Sequence, residues 1–325
     1  GSRILLLVEQ AGRASLWEPF SQRYAGLYRT QRNLYKDISG TALIFEEINL
    51  TLGLACRYAW RASETYGWVK TTWLQNLGEA VCRAQVLDGL QNLLPANVSS
   101  QTQNIFSPLL DAYKRSELLP DAGLGLFYLN STLTDLAEPS ESLLATTAGQ
   151  VGLNPVACLL SVRQLEDFRA GRGLHTETEV RGQRGAYFVQ ASLELAPGAE
   201  QSWHLFMEVS QDAAAIVRLR RQLVDDPAGL RTALEEDLAR NRRALEQIVA
   251  GADGLQTSRL PMHSAHHFAN TMFNLMRGGV FADQYRLSGT DFKDFVAVRS
   301  RATLAGQAGF FAALPEELTL DDLRA

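Results

Sequence analysis

The feature that most constrains this chain is a change of period. Up to about residue 210 apolar side chains recur at every second position, and from residue 211 they recur every three to four. Period two marks strands with one face on a core, and period 3.6 marks amphipathic helices. A long β part followed by helices points to an antiparallel sandwich with a helical appendage rather than to alternating β–α units. The longest alternating run is 42–60, in which Ile44, Glu46, Ile48, Leu50, Leu52, Leu54, Cys56, Tyr58 and Trp60 share one parity. It predicts one long strand, with a turn from Arg61 to Gly67 and a returning strand from Trp68 to Trp73. Further on, residues 174–181 alternate, Gly182-Gln183-Arg184-Gly185 turns the chain, and Tyr187, Val189, Ala191, Leu193 and Leu195 form the next inward face. After Pro197-Gly198, Trp203, Leu205, Met207 and Val209 continue the pattern, which predicts three hairpin-linked strands in a meander. A short helix is expected within 101–118, on Phe106, Leu109, Leu110 and Tyr113.

Beyond residue 211 one helix is expected from Ala213 to Leu223. Asp226-Pro227 then supplies a cap and a first-turn proline for a second helix. Its apolar stripe is Leu230, Leu234, Leu238, Leu245, Ile248 and Val249, and Gly251 stops it. Further helices are expected over His266–Met276 and from Asp291 to about Ala313. A threonine cap at Thr319 with Asp321 and Asp322 opens one more, so the sequence reads as a piece of a longer protein. The expected domains are therefore a sandwich over 1–210, a helical linker over 211–257 and a helical segment over 258–325. In that last segment Phe268, Met272, Phe273, Met276, Phe310 and Phe311 are more apolar bulk than a short helical pair can cover, so exposed apolar surface is expected there.

Charge and cysteine usage narrow the class. A net charge of −5 with interspersed signs gives no field for nucleic acid or an anionic membrane, and no apolar run is long enough to span a bilayer. Cys56, Cys82 and Cys158 lie in apolar runs without metal-type spacing; they read as buried thiols and favour a reducing, cytoplasmic location.

Chemistry-bearing residues are sparse. Glu46 and Glu47 are adjacent carboxylates, but neighbours on a strand point to opposite faces, so they cannot flank one glycosidic bond. Glu46 alone, on an apolar face, is the candidate. His175, Glu177 and Glu179 fall at two-residue spacing on one expected strand face, a set that suits acid–base work on a sugar ring or, equally, a charged solvent face. His263 and His267 stand one helical turn apart without the carboxylate of a zinc protease motif, and no metal or cofactor is expected. Trp68 and Trp73, with Arg61 nearby, concentrate aromatic and cationic groups in one hairpin, a combination that binds the apolar faces and polar rims of sugars or equally serves as sandwich core; their parities are opposite, so at most one of the two faces out.

The segments Gly40 to Trp73 (GTALIFEEINLTLGLACRYAWRASETYGWVKTTW), Val86 to Val98 (VLDGLQNLLPANV), His175 to Phe206 with its RGQRGAYF turn, and Asn270 to Gly279 (NTMFNLMRGG) resemble the amino-terminal region of the cellobiose phosphorylase group, family 94 of the glycoside hydrolases. That resemblance implies a galactose mutarotase-like super-sandwich, a helical linker and then an (α/α)6 barrel that carries the catalytic acid. No position here matches that acid. The resemblance therefore implies a non-catalytic module that supports a barrel and contacts carbohydrate or a second subunit as a homodimer. The carbohydrate contacts expected on the residues are Trp68, Trp73, Arg61 and Glu46. The alternative is a self-sufficient aldose mutarotase-type isomerase working through His175 with Glu177 or Glu179.

Overall fold

The computed structural model describes residues 1–325 except 11, 25, 132–142, 279–285, 320, 321 and 323–325. The chain forms two compact units, one of residues 1–35 and 42–239 and the other of 36–41 and 240–325.

The first unit carries strands β1 (Ser2–Gln10), β2 (Arg13–Trp17), β3 (Thr30–Lys36), β4 (Leu43–Asn49), β5 (Leu54–Ser63), β6 (Gly67–Asn76) and β7 (Cys82–Leu93). Two short helices follow, α1 (Ser100–Ile105) and α2 (Ser107–Tyr113), then β8 (Lys114–Leu119), β9 (Leu124–Leu129), β10 (Ala145–Val151) and β11 (Pro155–Leu159). Helix α3 (Leu165–Arg169) precedes β12 (Glu179–Arg181), β13 (Gly185–Leu195) and β14 (Glu200–Gln211), and α4 (Ala213–Asp225) and α5 (Pro227–Gly251) come last. The strands make a five-stranded sheet in the order β11-β13-β7-β1-β2 and a nine-stranded sheet in the order β12-β8-β9-β10-β14-β6-β5-β4-β3. The protein is thus mainly antiparallel sheet with several helices, a β-sandwich with a helical region.

Alternation builds the layers. Leu6, Val86 and Val189 of the smaller sheet meet Cys56, Leu74 and Trp203 of the larger one in a single core. The opposite face of the nine-stranded sheet offers Tyr66, Val69 and Phe206, which Leu223, Leu230, Leu234 and Leu238 of α4 and α5 cover. Each such leucine, buried to within 7% of full exclusion, contributes roughly 1.5–3 kcal/mol. The outer face of the five-stranded sheet is closed by Leu165 and Phe168 of α3 over Leu5, Leu87 and Phe188.

Several expectations are corrected. The run 42–60 is a hairpin, not one strand: Asn49 Oδ1 accepts from the amides of Thr51 and Leu52, and Gly53 takes a φ of +63°. The register Asn49↔Leu54 reverses the parity, so Glu46 lies opposite Arg57 while Glu47, opposite Cys56, points to the core side. The expected meander over 174–209 does not form. Strand β12 has three residues and joins the nine-stranded sheet beside β8, β13 lies in the five-stranded sheet between β7 and β11, and β14 returns to the larger sheet. Both turns are corners between layers. The helix within 101–118 is two helices that stop where β8 begins, with Phe106 exposed at their junction. In α5, Asp226 Oδ1 accepts from the Gly229 amide as its cap, and Val249 is buried while Ile248 is exposed.

In the second unit the end of α5 is followed by α6 (Pro261–Met276), β15 (Leu287–Ser288), α7 (Gly289–Arg299), α8 (Arg301–Gly306), α9 (Ala308–Ala313) and β16 (Glu317–Leu318). The expected continuous helix from Asp291 to Ala313 is three helices, broken where Ser300 turns to cap α8. Strands β15 and β16 pair, an element the sequence does not announce. Phe268 and Phe311 are buried, whereas Phe273, Met276 and Phe310 are more than half exposed. Thr319 and Asp322 hydrogen-bond as a cap pair; Asp321 and the rest of the helix expected after them lie outside the described residues. Among the described residues no helix is long and apolar enough to cross a membrane.

Candidate functional site

Two registers assemble a polar row across the nine-stranded sheet. Glu46 faces Arg57 across β4–β5, Arg57 faces Trp73 across β5–β6, and Trp73 faces Ser202 across β6–β14. Directly opposed residues share a face, so these four side chains lie side by side. Glu46 is 8% exposed; its Oε2 accepts from Asn33 Nδ2 at 2.7 Å and Tyr35 Oη at 2.9 Å, and its Oε1 lies 3.4 Å from Arg57 Nε. The bond to Glu46 is also the main reason the Tyr35 hydroxyl is held less acidic than usual. Arg57 continues to Gln75 Oε1 and Glu200 Oε2. At the far end Arg231 of α5 donates to the backbone oxygen and Oγ of Ser202. Arg61 joins this face: it donates to Thr71 Oγ1 at 2.5 Å and its guanidinium lies 5.9 Å from the Trp73 ring centroid. Three of the four expected carbohydrate contacts, Glu46, Arg61 and Trp73, therefore share a face. Trp68 has the other parity, opposite Ala62, and its ring is 55% exposed.

Glu47 serves a different place, which the sequence reading missed. Its Oε1 accepts from Trp17 Nε1 at 2.9 Å; its Oε2 accepts from the Phe20 amide at 2.8 Å and Arg32 Nε at 2.7 Å. Strands β2 and β3 are edge strands of the two sheets, and Trp17 and Arg32 bring those edges together on this carboxylate. The β2–β3 connection then encloses a cleft of about 560 Å³ lined by Gln22, Tyr24, Tyr28, Thr30, Arg32 and Glu47, among others. Tyr28 is fixed by donating to the Leu16 oxygen, and burial pushes its hydroxyl pKa up. The Arg23 guanidinium lies 5.9 Å from the Tyr24 ring centroid. Phe20, with φ +65°, is one of five described non-glycine residues in the left-handed region, and its ring meets Tyr58 edge-on at 4.9 Å. Glu18, on the cleft wall, accepts from Nε and one terminal nitrogen of Arg169. Half-buried aromatic rings beside a guanidinium, a carboxylate and an amide side chain offer a sugar both the apolar faces and the hydrogen bonds it needs. The hydrogen bonds that define the cleft join Glu47 to Trp17, Phe20 and Arg32, which lie 15 to 30 residues away in sequence.

The remaining candidates are dispersed. Residues 172–177 form no strand, so His175, Glu177 and Glu179 do not make one strand face. Glu177 accepts from the Leu160 amide, Ser161 Oγ and Gln164 Nε2, and thereby pins the end of β11. Glu179 pairs with Arg115 and Arg181 on the nine-stranded sheet, and its carboxyl is held below the usual range chiefly by the Arg181 hydrogen bond. The His175 side chain is exposed. His267 Nε2 bonds to the Asp253 oxygen, and among the described residues no three His, Cys, Asp or Glu side chains gather as metal ligands. The three cysteines are free and buried; desolvation pushes the Cys158 thiol up to about 11.

His204 is a further polar centre that the sequence reading passed over. It is 2% exposed, with Nδ1 2.8 Å from Thr71 Oγ1 and Nε2 3.0 Å from Glu235 Oε1 of α5. Burial is the main reason its pKa lies below the ordinary value. Burial also raises the Glu235 carboxyl, but hydrogen bonds from His204 and Arg231 outweigh that and hold it low.

No family model matches the chain, and no curated protein matches it. Among solved structures it is similar to a microbiome protein assigned as a kojibiose phosphorylase, with a TM-score of 0.46 at 8% identity over 88% of this chain and 32% of that one. It is similar also to a bacterial glucoamylase complexed with acarbose, with a TM-score of 0.47 at 7% identity over 99% of this chain and 46% of that one. A family GH92 α-mannosidase from Bacteroides thetaiotaomicron gives a TM-score of 0.32 at 8% identity over 70% and 26% of the two chains. The chain spans less than half the length of each of these proteins.

Proposed function

We propose that this protein is a saccharide-binding, non-catalytic module of a carbohydrate-active enzyme. In this reading it is a galactose mutarotase-like super-sandwich of the kind that heads the cellobiose phosphorylase group. On the same reading the sandwich domain spans 1–210, the linker 211–257 and the helical segment 258–325, and the protein works in the cytoplasm. The single observation that carries the reading is the 560 Å³ cleft at the sandwich edge, where Tyr24 and Tyr28 stand beside the Arg32–Glu47 pair. The row Glu46–Arg57–Trp73 with Arg61 is a second carbohydrate contact. The exposed Phe273, Met276 and Phe310 of the helical unit face a catalytic barrel, or a second copy of the chain in a homodimer.

Titration calorimetry against cello- and malto-oligosaccharides tests it. One of these series should bind, and Tyr24→Ala or Gln22→Ala should weaken binding at least tenfold without loss of fold. Absence of binding to either series would remove the reading. Mutarotation of free aldoses by the wild-type chain, abolished in His175→Ala, would replace it with an isomerase.

A further inference from the structure

A second cavity, of about 610 Å³, opens at one end of the sandwich between the two sheets. Its walls come from inward-facing positions: Trp60 of β5, Leu90 of β7, Thr146 of β10 and Met207 of β14, with Pro95 and Val98 of the β7–α1 connection. Three observations separate it from an ordinary packing gap. First, Thr146 is 1% exposed and its Oγ1 has no hydrogen-bond partner. An unmet buried hydroxyl is destabilising, and such groups call for a missing partner. Second, Asn92, Asn97 and Ser210, with φ of +58°, +63° and +57°, all border this cavity, out of five described non-glycine residues in the left-handed region. Strained backbone of this kind gathers at ligand sites. Third, the volume falls in the range of small-molecule sites, about 300–1,000 Å³.

The walls choose the ligand class. Apolar residues, Trp60 and Met207 among them, outnumber the polar ones on these walls, which disfavours a sugar with hydroxyls all round. The Trp60 ring favours stacking with an aromatic partner, and the Met207 thioether favours the edge of one. We propose that this cavity binds a small aromatic ring bearing a hydroxyl, with that hydroxyl hydrogen-bonded to Thr146. Thr146 borders the cavity, and a turn of about 120° around χ1 moves its hydroxyl to the staggered position that the methyl now holds. The site is separate from the saccharide cleft and stands or falls without it.

The chain has four methionines, and of these Met207 alone borders the cavity; the others, Met262, Met272 and Met276, lie in the helical unit. Methyl-labelled methionine spectra of the full chain, titrated with 4-methylumbelliferone, therefore report on this site. The Met207 methyl should shift with saturation while the other three stay in place. Thr146→Val should lower the affinity about tenfold yet leave thermal stability equal or higher, since it deletes an unmet hydroxyl. Val209→Trp, at the rim, should block the shift. An unmoved Met207, or unchanged affinity in Thr146→Val, would overturn the proposal.

Discussion

At the scale of single residues, buried charge is handled by pairing. Lys70 and Asp88 are both fully buried and form an ion pair inside the sandwich, where Trp203 Nε1 and Thr72 Oγ1 also donate to Asp88. Removing one partner strands the other charge, so Asp88→Asn should cost about 3–5 kcal/mol in urea unfolding. His204 makes the fold acid-sensitive. Its folded pKa is depressed by burial, so below about 6.5 the unfolded chain binds more protons than the folded one. Its contribution is complete above that pH and is lost as pH falls through the folded value. Glu235, also depressed, adds a further loss below about 4.5. Melting temperatures from pH 7.5 to 4 should decline in this order, and His204→Gln should flatten the 5–7 part of the curve. None of these groups stands out in sequence. Asp88 sits in an apolar run, and its partners are 16 to 115 residues away. In sequence Glu47 is only the neighbour of Glu46, and alternation sends the two to opposite faces, as the β4–β5 register shows.

At the scale of elements, the change of period was legible because burial imposes it: β14 ends at Gln211 and α4 begins at Ala213. What alternation cannot say is which sheet a strand joins. The inward faces of β12, β13 and β14 look alike in sequence, yet the chain changes sheet at each turn. The β4–β5 hairpin was hidden because Leu50 and Leu52 preserve an apparent alternation through the turn. Helix α5 is fixed to the sheet by Asp237. Its carboxylate accepts from Ser63 Oγ at the end of β5 and from the Glu64 and Thr65 amides and Thr65 Oγ1 in the β5–β6 turn. Asp237→Ala should destabilise the first unit by about 2–3 kcal/mol, the worth of a charged hydrogen-bonded group. Amide exchange should quicken at residues 64–66 before it does in β5.

At the scale of the whole molecule, the sandwich brings two sheet edges together on Glu47 and leaves an aromatic, charged cleft over that junction. Such a site belongs to the tertiary fold and not to any motif, which is why the sequence pointed instead to a hairpin rich in tryptophan. Trp68 and Trp73 stand on opposite faces, as their opposite parities require, so that hairpin presents no joint aromatic platform. The most direct measurement is a crystal structure of the chain soaked in the oligosaccharide series that binds in calorimetry. The account predicts a sugar ring against Tyr24 and Tyr28 with a hydroxyl on the Arg32–Glu47 pair. An empty cleft, with sugar bound elsewhere on the sandwich, would contradict it.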